Sequence, residues 1–282
     1  MLRAILILKK ERPNLIIGFG GYVSFPICYA SKFFKLPLII YEANLILGRT
    51  NKYLLSFAKK IFLSRAIKIN FPEKFKKKVY EVGTILDKNI INYPALKKNH
   101  NKDNFSILIL GGSQGAKIFG TIIPPAIKMI KDDGHNIEIY HQCIKNQKDF
   151  IKTFYDKNNI KNYVFEFDKN VFKLIASTDL AITRCGASTT AELAHMLTPF
   201  IAVPLKNSID NHQHLNAKFY ENKGCCWILE QNNLNTNSLF GLITEIIKNK
   251  NKLKMIQDNM KKIYSNKVYN LIEKEIKESV QR

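Results

Sequence analysis

The chain has few cysteines and no pattern among them. Cys28, Cys143, Cys185, Cys225 and Cys226 are the only five, and no two form a CxxC pair. An odd, unspaced set argues against a disulfide framework and a structural zinc site and fits a reduced, cytosolic protein. Long apolar runs are missing too. The longest weakly charged stretch, Leu15 to Ser31, is broken by Gly18, Gly20, Gly21 and Pro26, so nothing reads as a membrane-spanning helix. The opening MLRAILILKKERP lacks a small-residue cleavage site and does not read as a signal peptide. Nor is there a Walker loop, a GxGxxG fingerprint or a DxD pair.

Acidic residues are scarce. Asp and Glu number 23 against 44 Lys and Arg, a formal net charge of +21 over 282 residues. Such a surplus draws a protein to phosphorylated substrates, an acidic membrane face or nucleic acid. Lys mixed with many Asn and Ile is also what A/T-rich coding produces. No RRM, KH or zinc pattern supports nucleic-acid binding, so none is expected. With 46% apolar and 24% charged residues, the chain is neither disordered nor fibrous.

The length predicts two domains. Short apolar runs at Leu15–Ile17, Leu38–Tyr41, Ile61–Ser64 and Lys78–Val82 alternate with helical patterns, which implies a parallel sheet. A polar piece at 93–104 reads as a linker. The second run, 105–265, opens on the apolar strand Phe105–Leu110 and again alternates strand and helix. From Ser238 onward the sequence reads as helical and charged, with 266–282 as a C-terminal helix.

Two turns carry chemistry. GGSQGA (Gly111–Ala116) lies between a buried strand and a helix, where glycines admit a ligand to the backbone and free N–H groups favour negative charge. Ser113 adds a hydroxyl. RCGASTTAE (Arg184–Glu192) repeats the arrangement, with Ser188, Thr189 and Thr190 as caps or phosphate donors and Glu192 as an acceptor for ribose hydroxyls. A plain capping box, with Glu192 serving the helix end, is the competing reading. NSIDNHQHLNA (Asn207–Ala217) supplies amides suited to sugar hydroxyls. In the first half, GFGGYVS and YEANLILG end two strands, and Glu42 and Asn44 sit on that rim.

In this order, GFGGYVS, YEAN with TNK, GGSQGA, His141–Gln142, GASTTAE and DNHQHLNA resemble the MurG family of bacterial UDP-N-acetylglucosamine transferases that make lipid II. The likeness runs from about Arg3 to the end. It implies a GT-B fold: two Rossmann-like α/β domains with parallel sheets, and donor nucleotide held mainly by the second. It also implies inverting transfer of GlcNAc from UDP-GlcNAc to lipid I in peptidoglycan synthesis. The implied setting is peripheral, on the cytoplasmic face of the inner membrane, against an anionic surface. No cofactor or metal is implied.

Position by position, the resemblance puts Asn44, Ser113 and the turn Ala187, Ser188, Thr189, Thr190, Ala191 and Glu192 on the donor. Asp168 falls where backbone binds uracil, and Gln213 where GlcNAc hydroxyls are read. Tyr22 and Glu42 fall on the acceptor side. The departures are specific. The family's first Gly-rich loop, with its His, has no counterpart, so the first domain is expected to be incomplete, the catalytic base is unknown, and donor binding should survive better than turnover. Tyr41 and Ala43 replace His and Gln, Asp87 an Arg, and Gly120 an Asn. A transferase with another acceptor, or a non-catalytic remnant that binds UDP-sugar or membrane, are the alternatives.

Overall fold

The computed structural model describes residues 1–67, 71–94, 104–112, 116–206, 208–263 and 267–280. In chain order, α1 (Leu2–Glu11) leads to β1 (Ile16–Gly18), α2 (Phe25–Ala30), β2 (Leu38–Glu42), α3 (Arg49–Leu54), β3 (Lys60–Leu63) and β4 (Val79–Glu81). There follow α4 (Lys88–Ile91), β5 (Phe105–Leu110), α5 (Lys117–Asp132), β6 (Ile137–Gln142), α6 (Lys148–Lys157), β7 (Lys161–Phe165) and α7 (Val171–Ser177). The rest comprises β8 (Leu180–Thr183), α8 (Ala187–His195), β9 (Phe200–Ala202), α9 (His212–Asn222), β10 (Cys226–Ile228), α10 (Thr236–Lys248), α11 (Lys250–Lys261) and α12 (Val268–Val280).

These elements form two compact units, Met1–Ile85 with Ser265–Arg282, and Leu86–Tyr264. The first holds a parallel four-stranded sheet in the order β1-β2-β3-β4. Alternate residues of β2 bury on opposite faces: Leu38 and Ile40 join one cluster, Ile39 and Tyr41 another. α12 covers the second cluster with Leu271, Ile272 and Ile276. Its attachment is also ionic, because Lys60 Nζ meets Glu275 Oε2 at 2.6 Å and Glu278 Oε2 at 3.0 Å, with Lys60 and Glu275 both buried. The residues expected to form a separate C-terminal helix therefore complete the first unit, and the division falls at Ile85 and Leu86 rather than at 92. Most of the expected linker, 95–103, lies outside the described residues.

α1 was not legible as a helix, since LRAILILKK fits either regular period. Ala4 and Leu8, one turn apart, bury against Ala30 and leave Leu2, Leu6 and Ile7 outward. The helical tail is likewise interrupted, by Asn249, whose side chain accepts from Lys252 N and starts α11.

The second unit holds a parallel six-stranded sheet in the order β10-β9-β8-β5-β6-β7. β5 is buried on both faces: Ile107 and Ile109 enter one core cluster, Leu108 and Leu110 the other. Chain order reverses between β5 and β8, which pair from Ile107↔Leu180 to Leu110↔Thr183. Parallel sheets open a crevice at the carboxyl ends of strands at such a switch point.

Candidate functional site

In the second unit the switch point brings together the two turns singled out in the sequence. Arg184 N donates to Leu110 O at 3.2 Å, so the loops after β5 and β8 leave the sheet side by side. Gly112 has φ +79, a left-handed conformation in which an L side chain is strained. Ser113 lies outside the described residues.

α8 begins at this point with Gly186 as its N-cap, and no side chain caps it. The free N–H groups of its first turn are thus left for a ligand. Ser188 is exposed, Thr189 half-buried, and Ala187 and Ala191 keep this turn small. Thr190 differs from its neighbours. Its hydroxyl is buried and donates to Gly186 O at 3.0 Å and Ala187 O at 3.2 Å, so it serves the helix.

A cavity of ≈ 150 Å³ opens beside α8, lined by Gly112, Gln142, Phe167, Asp168, Thr189 and Glu192 among others. Glu192 faces this cavity instead of closing a capping box. Burial raises its carboxyl above the ordinary Glu range, and nearby Asp87 raises it further. Asp87 also caps α4 by accepting from Asn89 N at 2.7 Å. Asp168 spends its carboxylate locally: Asn170 N donates to it at 2.7 Å and Tyr163 OH at 3.4 Å.

Gln213 does more than the sequence suggested. Its Oε1 accepts from Cys185 N at 3.2 Å and Leu205 N at 3.0 Å, tying the turn after β8 to the loop after β9. Both partners are N–H donors, so the amide orientation is fixed.

His141 is fully buried, 3.0 Å from Tyr155 OH through Nδ1, and burial pushes its pKa down to about 3. It is a neutral core residue, whereas Gln142, next in β6, lines the cavity. Arg184 was passed over in the sequence. Its guanidinium lies 4.8 Å from the Phe119 ring and donates to Val203 O at 3.1 Å. The available signal was a cation immediately before a Gly turn at a strand end. Gly120 admits the amide of Gln147: a Cβ there would stand 2.7 Å from Gln147 Oε1, while Gln147 Nε2 donates to Lys117 O. Among the described residues, no group of three His, Cys, Asp or Glu side chains is placed to hold a metal ion.

In the first unit, the loops after β1 and β2 emerge together, with Gly18 in register with Ile40. Tyr22 sits at the tip of the first, 86% exposed. Asn44 is half-buried, and its backbone N and Nδ2 both donate to Glu42 Oε1 at 3.1 Å. Glu42 is therefore not the open rim acid that its place in the sequence suggested; it is 4% exposed and bonded within its own loop. Tyr41 OH donates to Gly83 O at 3.3 Å and accepts from Ile85 N at 3.1 Å, which fixes the end of this unit.

Family models match both parts of the chain. The glycosyltransferase family 28 C-terminal domain matches residues 106–274 and the N-terminal domain of that family matches 1–63. A UDP-N-acetylglucosamine--N-acetylmuramyl-(pentapeptide) pyrophosphoryl-undecaprenol N-acetylglucosamine transferase of Pelagibacter ubique is 38% identical over 92% of this chain and 72% of its own length. The protein of the same name from Rickettsia felis is 40% identical over 93% and 75%. Among solved structures, MurG of Acinetobacter baumannii superposes with TM-score 0.76 at 26% identity, covering 96% of this chain and 77% of that one. A UDP-N-acetylglucosamine 2-epimerase attributed to Listeria monocytogenes, 13% identical with TM-score 0.74, shares the fold alone. The chain belongs to glycosyltransferase family 28, within the lineage of N-acetylglucosamine transferases that act on N-acetylmuramyl-(pentapeptide) pyrophosphoryl-undecaprenol.

Proposed function

We propose that this chain transfers N-acetylglucosamine from UDP-N-acetylglucosamine to the C4 hydroxyl of the undecaprenyl-pyrophosphoryl muramyl pentapeptide, lipid I, with inversion. The observation that carries the donor assignment is Glu192, facing a cavity at the switch point one turn inside the uncapped start of α8. A diphosphate fits the free N–H groups there, and a ribose fits the carboxylate beyond them. The acceptor oxygen forms a bond to the anomeric carbon and gives its proton to a general base as the bond to the UDP oxygen breaks. Charge grows on the leaving diphosphate, where the α8 N–H groups and the loop after β5 stabilise it. Gln213 ties the turn after β8 to the loop after β9, and its amide is the group assigned to the sugar hydroxyls.

Calorimetry with the whole chain tests the donor reading. UDP and UDP-GlcNAc should bind, and ADP should bind much more weakly. Equal binding of ADP would remove the uridine assignment.

The membrane part of the reading rests on the first unit. α1 exposes Leu2 (79%), Leu6 (62%) and Ile7 (50%) beside the exposed Arg3, Lys9 and Lys10. Phe19, Tyr22 and Val23 are exposed on the loop after β1. No helix among the described residues is long and apolar enough to cross a membrane. An apolar face ringed by cations suits peripheral docking on an anionic leaflet, with each cation contributing about 1 kcal/mol. A purely electrostatic attachment, the expectation from charge alone, leaves these apolar side chains unexplained. The chain should pellet with anionic vesicles and be released by high salt only in part. Leu6→Asn with Ile7→Asn should make release by salt complete. Full release of the unaltered chain by salt would rule out the apolar contribution.

A further inference from the structure

Glu42 is a buried carboxylate held by four N–H donors. Its Oε1 accepts from Asn44 N and Asn44 Nδ2, both at 3.1 Å. Its Oε2 accepts from Gly48 N at 2.8 Å and Asn51 Nδ2 at 2.9 Å. A carboxylate has about four lone-pair sites, so these donors fill it. No lone pair is left for the proton of an incoming hydroxyl unless one of the bonds breaks.

The four donors come from distinct places. Asn44 follows β2, Gly48 is the N-cap of α3, and Asn51 lies one turn inside that helix. Asn51 is 1% exposed, and its Nδ2 also donates to Tyr41 O at 3.0 Å. Its Oδ1 is buried without a partner. The same side chain lies under the glycine loop after β1: a Cβ on Gly20, which has φ +80, would stand 3.3 Å from Asn51 Nδ2. Native structures seldom leave a buried acceptor unpaired, and such sites concentrate where geometry serves function. Here the Asn51 amide is oriented by its donor end, and its acceptor end goes unpaired as a result.

We infer that Glu42 is a positioning residue for Asn44 and not the base of the reaction. It clamps both N–H groups of Asn44 to one oxygen, which fixes the loop backbone and the plane of the Asn44 amide. It fastens the same loop to the start of α3, and through Asn51 to the glycine loop. The inference rests on the reading of Asn44 as a donor contact.

Glu42→Gln tests it. The amide keeps the shape but turns one acceptor oxygen into a donor facing two N–H groups. The dissociation constant for UDP-GlcNAc, measured by calorimetry, should rise roughly 10- to 150-fold, the loss expected for hydrogen bonds to a charged group. Asn44→Ala should do the same, and Glu42→Gln with Asn44→Ala should be no worse than Asn44→Ala alone. Additive losses would overturn the inference. So would a fall of kcat by about 10²–10⁴ with disappearance of the acid limb of the pH–rate profile, the signature of a lost base.

A second readout is independent of the donor. Hydrogen exchange at the Asn44 and Gly48 amides should speed up in Glu42→Gln; unchanged protection would overturn the inference. If Asn44→Ala binds the donor normally, the donor reading of Asn44 fails, and amide protection alone then decides whether Glu42 orders this loop. Should Glu42→Gln fail to fold by circular dichroism, Asn51→Ala removes only one of the four donors. It should shift affinity and exchange in the same direction to a smaller extent, and no shift in either would count against the clamp.

Discussion

Replacing Glu192 by Ala is expected to weaken UDP binding by about 10- to 150-fold while leaving the second unit folded. Hydrogen bonds to a charged group contribute about 1.5–3 kcal/mol, and that sets the range. Stability should change little, since no hydrogen bond of the fold uses the Glu192 carboxylate among the described residues. The deciding ligand is 2′,3′-dideoxy-UDP: the variant should lose the preference for UDP over it, and a preserved ratio would remove Glu192 from the ribose. The pH dependence is more specific. Burial and Asp87 raise the folded carboxyl above its ordinary range. Binding that needs the ionised form should therefore begin to fail, on acidification, at a higher pH than an ordinary Glu would allow. Asp87→Asn removes one of the two causes, so it should move that midpoint to lower pH. A midpoint unmoved by Asp87→Asn would disconnect the pair.

The largest stability effect is expected at Glu275. Glu275→Ala leaves the buried Lys60 ammonium with Glu278, a half-exposed partner, and the backbone carbonyl of residue 275. Breaking a buried ion pair from one side typically costs about 3–5 kcal/mol, because a desolvated charge is stranded. The loss should be confined to the first unit. The chain has one tryptophan, Trp227, on β10 of the second unit. In urea, circular dichroism of the variant should start to change before tryptophan fluorescence does. Coincident transitions would show that the two units unfold together or that the pair matters little. Lys60→Met with Glu275→Leu should recover much of the loss, since an apolar pair of similar volume replaces both charges.

Both of these residues show what a sequence does and does not disclose. Glu192 was legible because its signal is local: a strand, a Gly turn and a helix start lie within a few residues, and 3.6-residue periodicity puts the acid just inside. The strand–turn–helix grammar served equally well for β5 and α5, where FSILIL announces a strand buried on both faces. The crevice itself was not legible. It exists because β8 pairs with β5, and sheet order is a property of long-range pairing. Burial was the other blind spot. Glu42 reads as an open rim acid and Glu275 as any surface acid in the sequence, and only the partners that fold around them reveal otherwise. Those of Glu42 lie within nine positions, whereas Lys60 lies 215 positions from Glu275. Gln213 was assigned to the sugar by resemblance, but its grip on Cys185 N and Leu205 N depends on two loops meeting.

The place of α12 has a consequence for biosynthesis. A domain built from one continuous stretch can fold as it leaves the ribosome, and first-made usually means first-folded. Here an earlier-made sheet waits for a later-made helix. While the intervening second unit is translated, on the order of 10–40 s at about 5–20 residues per second, Ile39, Tyr41, Phe62 and Val82 lack their cover and Lys60 lacks its counter-charge. The second unit is then the earlier to mature, and the first stays a client for chaperones and proteases until α12 is made. A premature stop before α12 would leave the second unit intact and the first unfinished.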